Sequence, residues 1–158
     1  MLAFPKAHAD LPKVESLPGA LVWLDRLEAA RSVRTTGTWA LAPVLEHLAQ
    51  SIEMSMEGYP APKSALFQRT AGSAAFAYFG WRGRMNHPLD EPIPGAAPLA
   101  LQGDWRQAAQ RLRGAVQRFE AQAGALHPHF AYGALDKRQY RLAHAMHIAN
   151  HQDEILVA

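Results

Sequence analysis

Between residues 88 and 98, within NHPLDEPIPGAAPL, the chain places four of its eleven prolines. Proline lacks an amide donor and clashes with the preceding helical turn, so no helix interior or central strand accepts such a run. The stretch must be a long surface loop, and loops of this length in compact domains are often functional. The segments on either side carry helical spacing. In ESLPGALVWLDRLEAARS, Ser16 is an N-cap candidate, Pro18 suits a first turn, and Leu21, Leu24 and Leu27 repeat at helical intervals, predicting a helix over 17–33. A second helix spans 39–57, with Thr38 as cap, Pro43 tolerable in the early turns and Gly58 as the stop.

Residues 63–85 are rich in aromatic and small side chains, and Gly72, Gly80 and Gly83 predict a broken helix there. After the proline run, Asp104 caps a helix whose Trp105, Ala108, Leu112, Val116 and Phe119 form one apolar stripe, ending at Gly124. Asp136 caps the last helix, over 137–156. No segment shows the sustained alternation that strands demand, so the chain reads as all-α. Residues 1–16 read as an irregular leader and 17–158 as one helical domain. Within the leader, Ala7-His8-Ala9 has the character of a small-residue cleavage site, which leaves export open beside a cytoplasmic location.

Composition narrows the function. At 158 residues with 49% apolar and 19% charged side chains, the chain can bury a continuous core. With no cysteine, thiolate metal sites and cysteine nucleophiles are excluded, and any metal must be held by nitrogen or oxygen. The net charge is only +2 and the basic residues form no dense run, which argues against nucleic acid. No apolar run approaches the roughly 20 residues that span a bilayer. Arg106, Arg111, Arg113 and Arg118 crowd one helix, either as a solvated face or as a clamp for an anionic ligand.

The chemistry concentrates in histidine. In RLAHAMHIANHQDEILVA, His144, His147 and His151 stand at steps of three and four. At about 100° per residue, they project within about 60° of one another on one helix face, which also carries Tyr140. His147 and His151, one turn apart, can direct nitrogens at a common cation, as in zinc helices. A third ligand has to come from elsewhere, and His47 is the candidate: it lies between Val44 and Ser51 on the inward side of the second helix. A core histidine must satisfy two ring nitrogens, by hydrogen bonds to a neighbouring helix or by coordination. His144 reads as a further ligand, a partner that fixes a ring tautomer, or a polar neighbour, with the second role favoured. His127 and His129, in the turn HPHF, and His87, beside Pro88, read as ordinary loop histidines. Glu53 and Glu57 are available as general bases if they face the site, with solvation of the second helix the favoured reading, and no elbow or acid partner makes Ser51 or Ser55 a nucleophile.

Four stretches together, HLAQSIEMSMEGYPAPKSALFQ (47–68), EPIPGAAPL (91–99), HPHFAYGALDKRQY (127–140) and HAMHIANH (144–151), resemble the DinB/YfiT-like superfamily, and more closely its DUF1569 branch. The resemblance implies a four-helix bundle, with the broken helix and the proline-rich loop as additions. It also implies a divalent ion on three histidines, matched here by His47, His147 and His151, while His144 matches a further histidine frequent in the branch. The tail after His151, QDEILVA, is short, and AYG replaces the more usual aromatic-glycine step.

The expected function is a divalent-metal-dependent enzyme, with zinc or nickel favoured by three nitrogens and iron or manganese as alternatives. By resemblance it is a thiol-dependent S-transferase acting on small electrophiles with a low-molecular-weight thiol. The competing reading is a noncatalytic metal- or small-ligand-binding protein. The cavity is expected where the proline-rich loop and the aromatic segment 67–81 meet the open side of the histidines. A homodimer is the expected assembly.

Overall fold

The computed structural model describes residues 11–158; His8 and the Ala7-His8-Ala9 motif lie outside the described residues. Within them the elements run α1 (Leu17–Ala29), β1 (Val33–Thr35), α2 (Leu41–Glu57), α3 (Ala65–Phe67), α4 (Ser73–Arg82), α5 (Trp105–Ala121), α6 (Lys137–Gln152) and β2 (Ile155–Val157). The fold is mostly helical, with one small two-stranded sheet. No helix is long and apolar enough to cross a membrane among the described residues.

The predicted caps account for three of the six helix starts among the described residues. The Ser16 side chain accepts from the Gly19 amide, Asp104 from that of Arg106, and Asp136 from that of Gln139, whose side chain returns the bond in a capping box. Each satisfies amides left orphaned by the first helical turn. Helix α2 departs from expectation: it starts at Leu41 behind Ala40, with no side-chain cap, and the Thr38 hydroxyl points instead to Asp90 in the loop. It stops where expected, at Gly58 with φ 108°.

Two termini are shorter than their patterns predicted. Helix α1 ends at Ala29 and α6 at Gln152, and the residues beyond them pair antiparallel, Val33 opposite Val157 and Thr35 opposite Ile155. Strands of three residues are too short to display an alternation. The pairing matters because it folds the carboxyl end back across the histidine face of α6.

The core lies between α1, α2, α5 and α6. Helix α5 packs most extensively on α2, through Ala108, Leu112, Ala115, Val116 and Phe119, all buried. Truncating one such leucine costs about 2–5 kcal/mol by the usual cavity argument. From α1, Leu17, Leu24 and Leu27 close the other side, and Val14 ahead of it is also buried, its amide donating to Gln152 at 2.7 Å.

The segment 65–82 behaves differently. A π turn, Gln68–Gly72, joins α3 to α4, and of these residues only Gly72 is buried. A Cβ at Gly72 would run into the Ala131 carbonyl, so glycine is what lets this segment touch the turn 127–133. From Gly83 to Asp104 there is no helix or strand, yet the loop is pinned: Met85 and Ile93 are buried, Gln50 donates to the Ala97 carbonyl at 3.0 Å, and the Ala100 amide donates to Glu46 at 3.3 Å.

Candidate metal centre

His47 projects from the middle of α2, and His147 and His151 from consecutive turns of α6, so the packing of these helices brings the three rings together. One nitrogen from each lies within 4.8 Å of the others, close enough to hold a metal ion. The rings stand edge to face at centroid separations of 4.9, 5.0 and 5.1 Å. His47 Nε2 and His147 Nε2 are 3.1 Å apart. Two nitrogens bound to one tetrahedral ion at about 2.0–2.1 Å would stand about 3.3 Å from each other, so this spacing fits a shared cation.

The hydrogen bonds supply the second test of fit. His151 is 0% exposed, and its Nδ1 donates to the Glu154 carboxylate at 3.2 Å, which puts the lone pair on Nε2. That Nε2 is buried with no partner among the described residues, and so is His47 Nδ1. Buried polar nitrogens are normally satisfied, so two orphans in one cluster demand a reason, and a cation taking the His151 lone pair is one. Burial pushes His47 down to about 3, with nearby His151 and His87 adding repulsion, and it holds His147 well below the ordinary histidine range. Neutral imidazole is the form that binds metals.

Glu154 was not singled out from the sequence. It stands three residues after His151, 4% exposed, with a carboxylate oxygen against Gly37, where any Cβ would collide with it. The antiparallel pairing of β2 with β1 sets it there, and the Thr36 amide donates to its carbonyl at 2.8 Å. A carboxylate behind a ligating imidazole fixes the tautomer and raises the basicity of the ring.

His144 points away from the cluster. Its Nε2 meets Ser55 Oγ at 3.2 Å, and because that hydroxyl donates to the Ile52 carbonyl at 2.6 Å, His144 is the donor. It therefore ties α6 to α2, and its ring packs on Phe119 and Tyr140 instead of on the triad. Ser51 lines the cavity, and Ser55 serves His144. Glu53 and Glu57 face α5, where Glu53 takes a two-pronged bond from Arg111 and a further one from Arg118. Arg113 pairs with Asp25 and Glu28, and Arg106 lies over the Trp105 ring, so these arginines serve the helix surfaces and no anion clamp forms.

A cavity of about 230 Å³ opens beside the triad, lined by His47 and His147, by Met85, His87 and Ile93 of the loop, and by Phe130 and Tyr132. The segment 67–81, expected in this wall, is absent from it: Phe67, Tyr78 and Trp81 are exposed, Phe76 packs behind the wall on the Tyr132 ring at 5.3 Å, and the 129–132 turn lines the cavity. His127 is exposed, as loop histidines usually are. His129 is not ordinary: its Nδ1 accepts from the Ala131 and Tyr132 amides, its ring stacks on Tyr132, and burial pushes it down to about 3. His87 is not ordinary either, with its ring 4.9 Å from that of His147 and 5.7 Å from that of His151. Neither had a signal in the sequence, because neither lies in a periodic segment.

No curated protein and no solved structure matches the chain. The model of one family, proteins of unknown function DUF1569, matches residues 8–157. That match spans all four helices of the core and every histidine of the site, and the chain belongs to the DUF1569 family.

Proposed function

We propose that His47, His147 and His151 hold a divalent transition ion, and that the protein is a metal-dependent enzyme acting on small molecules in the adjoining cavity. The observation carrying this reading is the convergence of three buried imidazoles, with a ring nitrogen of His151 left without a partner, beside a largely apolar pocket. Three nitrogen ligands leave open coordination positions, the mark of a catalytic site and not of a closed structural one. An ion there supplies acidity to a water or thiol that reaches it. Around it, Glu154 orients His151, His144 locks α6 to α2, and Met85, Ile93, Phe130 and Tyr132 restrict water.

Thiol S-transfer to a small electrophile is the reaction class of this proposal. The chain has no cysteine, so the sulfur has to arrive with a small cosubstrate. The same reading makes α1, α2, α5 and α6 a four-helix bundle of the DinB/YfiT-like kind, covered by the proline-rich loop 83–104. Nitrogen donors favour zinc or nickel over harder ions.

The test is elemental analysis of protein purified without added metal, followed by a panel of small thiols against alkyl, epoxide and α,β-unsaturated electrophiles. About one equivalent of a transition ion together with turnover that chelator abolishes is the expected result. Stoichiometric metal without turnover across the panel transfers the site to the noncatalytic, ligand-binding reading. Protein with no transition ion that also fails to take one up overturns both.

A further inference from the structure

The loop that covers the cavity carries a fourth imidazole, His87, held in place from three sides. Its carbonyl accepts from Asn150 Nδ2 at 3.3 Å, and Asn150 is the α6 residue immediately before His151. The following Pro88 restricts its backbone to extended conformations, and buried Met85 and Ile93 seat the loop on either side. Its Nδ1 lies 2.8 Å from the Pro88 carbonyl. A carbonyl oxygen only accepts, so Nδ1 carries the proton and Nε2 has the lone pair.

His87 lines the cavity together with His47 and His147, yet the group close enough for one ion comprises only His47, His147 and His151. An imidazole at ring distances of 4.9 and 5.7 Å from two of the triad, but outside the ligand group, stands where it can reach a molecule bound between them and itself. A bond through one intervening group is the ordinary way for such a nitrogen to act.

Building on the metal reading above, we propose that His87 is a substrate-positioning residue: its Nε2 accepts a hydrogen bond from an O–H group of the small ligand drawn into the cavity, whose thiol proton leaves to solvent as its sulfur binds the ion. The loop thereby supplies the acceptor, while α2 and α6 supply the ion's ligands. Neutral hydrogen bonds of this kind contribute about 1–1.5 kcal/mol, which corresponds to roughly tenfold in affinity.

Cobalt(II) serves as the probe metal and 2-mercaptoethanol as the probe thiol, with thiol binding read from sulfur-to-cobalt charge-transfer absorption. Wild type, His87→Ala, His87→Gln and His147→Ala are compared. The expected result is that both His87 variants bind cobalt within about threefold of wild type, His87→Ala binds the thiol about tenfold more weakly, and His87→Gln, which keeps an acceptor at that position, recovers most of the loss. Three results overturn the proposal: cobalt affinity in His87→Ala collapsing as in His147→Ala, which would make His87 a ligand; thiol affinity unchanged in His87→Ala; or equal loss in Ala and Gln, which would make its contribution packing. Wild type that takes up no cobalt is a separate outcome, because there the metal reading itself fails and takes the proposal with it.

Discussion

Among the described residues, two groups of imidazoles differ in what their nitrogens meet. In one group, His129 accepts from two backbone amides and His144 donates to Ser55. The other group is His47, His147 and His151, with two nitrogens unpartnered and two more facing each other at 3.1 Å. Burial depresses the basicity of His129 and His144 and equally that of His47 and His147, so burial alone does not tell the groups apart. The missing partners do so.

Acid treats the two groups alike and gives the largest effect. In the metal-free fold His47, His129 and His144 are held near 3, against about 6.5 when unfolded, so between these values the unfolded chain binds more protons. The contribution of these rings is full only well above pH 6.5 and falls as pH drops through 6.5 toward 3, with a slope approaching about 1.4 kcal/mol per pH unit for each ring. Urea titrations of metal-free protein at pH 7.5, 6.5 and 5.5 should give steadily falling midpoints, and a flat series would contradict the neutral, buried state of these rings.

Truncation separates the groups. His147→Ala should weaken zinc binding by more than the roughly 100-fold ceiling expected for outer partners, as measured by competition with a chromophoric chelator. His144→Ala should leave zinc affinity within about threefold while costing about 1–3 kcal/mol of stability, because the Ser55 hydroxyl loses its donor in the core. Equal zinc loss in both variants would erase the distinction.

Glu154→Gln refines the comparison inside the triad. The amide keeps the shape but weakens the acceptor behind His151, so zinc affinity should fall about 10–100-fold, with little change in the melting temperature of metal-free protein. Arg118→Ala, on the α5 face, should be the smallest perturbation: about 0.5 kcal/mol or less by chemical denaturation, with unchanged metal binding, since the arginine is solvent-exposed and pairs with Glu53 and Glu57 far from the rings.

The triad was legible in the sequence because helical spacing aligns His147 with His151, and because the neighbours of His47, among them Val44 and Ile52, declare the inward side of α2. The same logic found Ser16, Asp104 and Asp136 as caps. Glu154 sits one more helical step beyond His151, and extending the stripe past Gln152 could have reached it. His87 had no such signal: its place depends on Asn150 and on how a non-periodic loop folds back, which is tertiary information. Segment 65–82 misled for the opposite reason. It is rich in apolar residues, but without a sustained stripe it leaves Leu66, Tyr78 and Trp81 exposed, whereas the far more polar α5 buries its regular one.

Anomalous diffraction across the transition-metal edges, on crystals of protein that never met added metal, bears most directly on the central claim. A single strong peak at about 2.0–2.1 Å from nitrogens of His47, His147 and His151, with none beside His129 or His144, is the result predicted here. Density free of any transition element at that position, with the His47 ring turned from the other two, would contradict it.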